Sequence, residues 1–162
     1  MNIIKGDLIE LAKNGEFDLI LHGCNCFHTM GGGIAKLVKD TWPSVFLVDT
    51  FTHKGDYEKL GNYSTFTVHV ENNKPLIVIN AYTQYHYNGF GQKTDLFEYA
   101  AFELILQKIN HYYPNLRIGM PMIGMGLAGG DSKRILTIIE DFSKYYSGTV
   151  TVVKFNDSRT NL

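Results

Sequence analysis

The sequence is poor in the residues that staple, break or charge a chain. Two cysteines in 162 residues are too few for a secreted disulfide framework, and Cys24 and Cys26, one residue apart, have poor geometry for a bond to each other. A reducing, cytoplasmic setting is expected. The four prolines (Pro43, Pro75, Pro114, Pro121) are scattered, and no repeat, low-complexity tract or Pro/Ser-rich linker interrupts the chain; residues 1–162 are expected to form one domain. Neither sign of charge is in excess. Fifteen Lys and Arg against sixteen Asp and Glu leave a net charge of -1, so nothing electrostatic draws the molecule as a whole to nucleic acid or to an anionic membrane. Lys5 and Asp7 leave no apolar run for a signal peptide at the N-terminus. The uncharged stretch Ile118 to Gly130 is too short for a bilayer helix and rich in glycine, so it reads as strand plus loop. What is present, 44% hydrophobic residues with 13% aromatic and 19% charged, is the composition of a folded globular protein.

Apolar runs bounded by turn residues predict about six strands, at Asn2 to Lys5, Phe17 to His22, Tyr63 to Val70, Leu76 to Ala81, Arg117 to Pro121 and Val150 to Phe155. Glu71-Asn72-Asn73-Lys74 joins two of them as a hairpin turn, because Asn tolerates the positive φ such turns need. Helical periodicity lies between the strands, at Asp7 to Lys13, Gly33 to Asp40, roughly Ser44 to Thr52, Asp95 to Tyr112 and Asp131 to Tyr146. This alternation, with strands such as Leu76-Ile77-Val78-Ile79 apolar on both faces, predicts an α/β fold. A mixed, mostly parallel sheet would be covered by helices on both sides in a three-layer α/β/α sandwich. In such open sheets ligands bind at the carboxyl ends of the strands.

Two glycine loops each follow a strand and open a helix. The first is Cys24-Asn25-Cys26-Phe27-His28-Thr29-Met30-Gly31-Gly32-Gly33-Ile34-Ala35. Its glycine triplet exposes backbone amides at the positive end of a helix, which suits a phosphate; a plain turn and cap is the alternative. The second, Ile123-Gly124-Met125-Gly126-Leu127-Ala128-Gly129-Gly130-Asp131, contains a GxGxxG at the last strand-helix turn rather than the first. The acidic residue a dinucleotide fold needs about 20 residues later is missing from its place. Two such loops at neighbouring strand ends suit a diphosphate gripped from both sides, hence a nucleoside diphosphate. Neither runs into Lys-Ser or Lys-Thr, so a Walker A site is excluded.

At these residues the sequence resembles the macrodomain family, and within it the short bacterial and phage-type ADP-ribose 1''-phosphate phosphatases, the Appr-1''-p processing proteins. The resemblance rests on Lys5-Gly6-Asp7-Leu8, on His22-Gly23-Cys24-Asn25-Cys26 with Met30 to Ala35, on Asn80-Ala81-Tyr82-Thr83-Gln84, and on Ile123 to Asp131. It implies the macrodomain fold and an ADP-ribose cleft with no bound cofactor. By this resemblance Asp7, with Leu8 beside it, accepts a hydrogen bond from the adenine amino group; capping the first helix is a compatible role. Phe155 would stack on the adenine, with core packing as the alternative. Gly31, Gly32, Gly33 and Ile34 on one side and Gly124, Met125, Gly126, Leu127, Ala128 and Gly129 on the other would hold the diphosphate. Asn25 would face the distal ribose, with Tyr82 or Tyr85 near it.

The match breaks at chemistry. In the branch that removes ADP-ribose from glutamate side chains a lysine acts as nucleophile, and here the aligned position is Gln84, whose amide cannot perform that step; Lys93, later in the loop Asn88 to Lys93, is the alternative that could swing in, against a solvated loop lysine. For phosphate hydrolysis His28 and Asp131 are the candidates to accept a proton from water, Asp131 either as the base itself or orienting His28, and Asn25 is grouped with them because its spacing from His28 could turn both side chains toward one pocket; an exposed loop histidine and a helix cap are the alternatives. A cysteine phosphatase would need Arg six residues after its nucleophile, where Met30 stands after Cys24. His22, Cys24, Cys26 and His28 alternate, but zinc sites space cysteines by two to four, and no metal is expected. The expected activity is hydrolysis of ADP-ribose 1''-phosphate by a monomer. The rivals are removal of ADP-ribose from modified protein or nucleic acid, and a non-catalytic ADP-ribose reader. Nucleic acid is expected only as such a modified substrate, and no membrane is expected.

Overall fold

The structure is a computed structural model that describes residues 1–87, 96–126 and 128–155. Among these, six strands form one sheet: β1 (Asn2–Gly6), β2 (Leu19–Cys24), β3 (Tyr63–Val70), β4 (Lys74–Tyr82), β5 (Arg117–Pro121) and β6 (Thr149–Phe155), in the order β1-β6-β5-β2-β4-β3. The helices are α1 (Leu8–Lys13), α2 (Gly33–Thr41), α3 (Pro43–Thr50), α4 (Tyr99–Tyr112) and α5 (Ser132–Tyr145). All neighbouring pairs are parallel except β3 with β4. That pair is joined at the expected Asn pair, where Asn72 and Asn73 take φ 60° and 59°. No helix among the described residues is long and apolar enough to cross a membrane.

The period-2 geometry of a strand sorts apolar side chains onto two faces. Leu19, Leu21, Ile79 and Val152 face one cluster with Phe102, Ile105 and Ile109 of α4 and Ile135, Ile139 and Phe142 of α5. Ile20, Val78 and Val153 face the other, with Leu8, Ile9 and Ala12 of α1, Val38 of α2 and Val45 of α3. This is the expected three-layer sandwich, with a core on each side of the sheet.

Most boundaries differ from expectation by one or two residues, and two of the shifts have a visible physical reason. β2 begins at Leu19, because Phe17 turns its ring beneath Gly119, where an added Cβ would lie 2.7 Å from that ring. α4 begins at Tyr99 rather than Asp95. The backbone before it is held extended: Leu96 N donates to Ala128 O at 2.8 Å and Glu98 N to Thr83 O at 2.7 Å, and Phe97 bridges Gln84. Residues 88–95 lie outside the described segments. With five adjacent strands parallel, the carboxyl ends of β1, β6, β5, β2 and β4 share one edge, where ligands bind in open sheets of this kind.

Candidate functional site

A cleft of about 1050 Å³ runs along that edge, at the upper end of the range for small-molecule sites. At its β1/β6 end the register sets Gly6 beside Phe155, which brings the next residue, Asp7, close to that ring; both residues line the cleft. Asp7 is the N-cap of α1, its Oδ1 accepting from Ile9 N at 3.0 Å and Glu10 N at 3.2 Å. Oδ2 has no hydrogen-bond partner among the described residues, so capping leaves an acceptor to spare. Phe155 is 48% exposed, which removes the core-packing alternative. Leu8 is buried and lines the cleft behind them.

In the middle lie the glycine loops. Gly31, Gly32 and Gly33 are exposed and line the cleft with Ile34. Gly32 is the N-cap of the nine-residue α2, and no side chain caps that helix. The amides of its first turn therefore keep hydrogen-bonding capacity for an anion, reinforced by the helix dipole. Gly33 has φ 57°, a conformation that glycine takes without strain. From the second loop Gly124, Met125, Gly126 and Ala128 line the cleft, and Leu127 lies outside the described residues. Gly129 is not in the lining. Its N–H donates to Gly126 O at 3.0 Å and its φ is 71°, so its amide is spent on closing the loop. The expectation of a diphosphate contact there is corrected on that ground.

At the β2/β4 end stand Gly23, Cys24, Asn25, Thr83, Gln84 and Tyr87. The Asn25 side chain sits in a local turn, its Oδ1 accepting from Phe27 N at 2.8 Å and its Nδ2 donating to Thr29 Oγ1 at 2.6 Å. Tyr82, expected on the distal ribose, is a core residue. It is 1% exposed, points to the α3 side of the sheet and donates its hydroxyl to Asp49 Oδ1 at 2.6 Å. The parity of β4 decides this, since Tyr82 follows Val78 onto that face. Tyr85 stacks on Tyr57, with ring centroids 3.6 Å apart, and donates to Gly55 O.

The two proposed proton acceptors are not brought together, and neither lines the cleft. His28, half-buried with φ 61°, turns its Nε2 to Thr52 Oγ1 at 3.1 Å. Burial, then the nearby Lys59 charge, lowers its pKa. Asp131 is exposed and caps α5, accepting from Arg134 N at 3.2 Å, while its own N–H donates to Tyr99 Oη. The helix-cap alternative is what the geometry supports for it.

The two cysteines are buried and free. Burial pushes the Cys24 thiol well up and Cys26 up to about 11, so neither is a thiolate near neutrality. His22, fully buried with Nε2 2.6 Å from Asn80 Oδ1, is pushed down to about 4 by desolvation and stays neutral. No group of three or more metal-ligating side chains occurs among the described residues.

Sequence reasoning missed Asp49 and Thr83. Both are 1% exposed and both line the cleft, and each carries a buried oxygen, Oδ2 and Oγ1, with no hydrogen-bond partner among the described residues. No sequence signal marks Asp49, a lone acid in the last turn of a short helix. Thr83 lay within a quoted motif, but its orientation follows only from the register of β4.

No protein-family model matches the chain. A 17.5 kDa protein of the tk-vs intergenic region of phage T4 is 35% identical over 145 residues, covering 86% of this chain and 88% of that protein. Among solved structures, Thermosipho africanus DarTG in complex with ADP-ribose superposes with a TM-score of 0.75 at 17% identity, over 94% of this chain and 40% of that one. The macrodomain of Thermus aquaticus DarG gives 0.68 at 17% identity, over 94% of this chain and 96% of its own. The chain has the macrodomain fold and belongs to the same family as the phage T4 protein.

Proposed function

We propose that the cleft binds ADP-ribose and that the protein hydrolyses a substituent at the 1'' carbon, most readily phosphate, giving ADP-ribose and inorganic phosphate. The observation that carries the binding is the order of chemistry along the strand ends. A carboxylate oxygen and an exposed aromatic ring stand at the β1/β6 end, two glycine loops follow at β5 and β2, and polar side chains lie at the β2/β4 end. Adenine, diphosphate and distal ribose have the same order in the ligand. The fold shared with a protein solved in complex with ADP-ribose supports the same reading.

Gln84 in the lining argues against a lysine-based covalent route from that position; Lys93, the alternative nucleophile, lies outside the described residues. The position of His28 and Asp131 outside the lining favours a second reading, a binder of ADP-ribose groups without catalysis. Phosphorus NMR of ADP-ribose 1''-phosphate incubated with the pure protein separates the two. Conversion of the monoester signal to inorganic phosphate is expected; a substrate that is bound and unchanged would remove the phosphatase reading and leave a binder or a hydrolase of ADP-ribosylated macromolecules.

A further inference from the structure

A chain of buried polar side chains crosses the α1–α3 side of the sheet and ends at the cleft. His22 Nε2 lies 2.6 Å from Asn80 Oδ1, Asn80 Nδ2 lies 3.0 Å from Ser64 Oγ, Ser64 Oγ lies 2.8 Å from Tyr82 Oη, and Tyr82 Oη lies 2.6 Å from Asp49 Oδ1. The proton inventory fixes its direction. A carboxylate only accepts, so Tyr82 spends its hydrogen on Asp49; Ser64 then donates to Tyr82 while accepting from the Asn80 amide, and His22 donates to the Asn80 oxygen. Every bond points the same way, toward Asp49, and bonds aligned in this manner polarise one another.

The chain fixes one oxygen of Asp49 and leaves the other. Oδ2 is buried without a partner among the described residues, in a residue 1% exposed that lines the cleft. Buried carboxylate oxygens in folded proteins are almost always satisfied. Asp49 lines the cleft, so a donor carried by a ligand can approach it from that side. Asp49 neighbours β4 through Tyr82, at the end of the cleft opposite Asp7 and Phe155, where the proposed order of ligand groups sets the distal ribose.

We propose that Asp49 is a specificity-determining residue whose Oδ2 accepts a hydrogen bond from a hydroxyl of the distal ribose, with Tyr82 as the positioning residue that holds the carboxylate. This rests on the ADP-ribose reading and adds to it the group that distinguishes ADP-ribose from ADP, which lacks that sugar. Asp49→Asn is the informative change, because the amide oxygen still accepts from Tyr82 while an NH2 replaces the free acceptor.

The test is calorimetric titration of the intact protein with ADP-ribose and, separately, with ADP. In Asp49→Asn the affinity for ADP-ribose is expected to fall by about tenfold or more, the loss typical of a hydrogen bond to a charged group, while ADP affinity stays within about twofold. Tyr82→Phe keeps the carboxylate but loses its anchor, and should lower ADP-ribose affinity alone by about threefold; it reads the same quantity if Asp49→Asn does not fold. ADP affinity and thermal unfolding report whether each variant is folded. Equal losses for both ligands, or no loss for either, would overturn the role of Asp49 and leave the cleft reading intact. A wild-type protein that binds neither ligand would overturn the cleft reading itself and this role with it.

Discussion

The two glycine loops look alike in sequence and differ in what their glycines do. In the first, the glycines give access: Gly31 to Gly33 are exposed, an added Cβ on Gly31 would meet only Thr29 O at 3.5 Å, and no side chain caps α2. In the second, half the glycines are packing requirements. Gly124 has φ 75° and would place a Cβ 2.4 Å from the Phe97 ring, Gly130 would place one 2.7 Å from Ile135, and Gly130 N donates to Gly124 O at 2.8 Å. Gly126 in that loop faces open space, with nothing within 4 Å. A glycine-rich motif therefore reports a loop that needs glycine, without saying whether a ligand or a neighbouring side chain imposes the need.

Substitutions can break that comparison. Gly124→Ala should lower stability by roughly 2–4 kcal/mol, since it combines a left-handed backbone with a ring that must move. Urea unfolding measures it, and a loss below about 0.5 kcal/mol would mean that Phe97 does not constrain the loop. Gly126→Ala is the opposite case. With open space and an ordinary φ it should leave stability unchanged or raise it by up to about 1 kcal/mol, while a methyl in the lining weakens ADP-ribose binding several-fold. A large destabilisation by Gly126→Ala would erase the distinction drawn within this loop.

The fold was legible because it depends on local periodicity. Runs such as Leu76 to Ile79, helices opening at Asp7 and Asp131, and the Asn72-Asn73 turn each carry their own signal over a few residues. Asp7, directly after β1, and Phe155, at the end of β6, both line the cleft, but what sets them side by side is the long-range β1–β6 pairing, which no local signal carries. What else the sequence concealed depends on side-chain direction. Tyr82 and Thr83 are consecutive, yet strand parity sends the first into the core and leaves the second in the cleft lining. His28 and Asp131 carry suitable chemistry, but His28, at a positive φ, turns to Thr52 and Asp131 caps α5 through Arg134 N. Asp49 gains its character from Tyr82, 33 residues away in the chain, and no spacing rule reaches that far.

The central claim is that the uncapped start of α2 receives the diphosphate of ADP-ribose. Calorimetric titration of ADP-ribose into the wild-type protein and into Gly32→Glu tests it most directly. Gly32 has φ -150°, open to any residue, so the variant should fold with an unchanged melting temperature while its carboxylate opposes the diphosphate. The account predicts one site in the wild-type protein and a loss of roughly 100-fold or more in Gly32→Glu, as for an unpaired like charge forced against a bound anion. Equal affinity in the two proteins would contradict it.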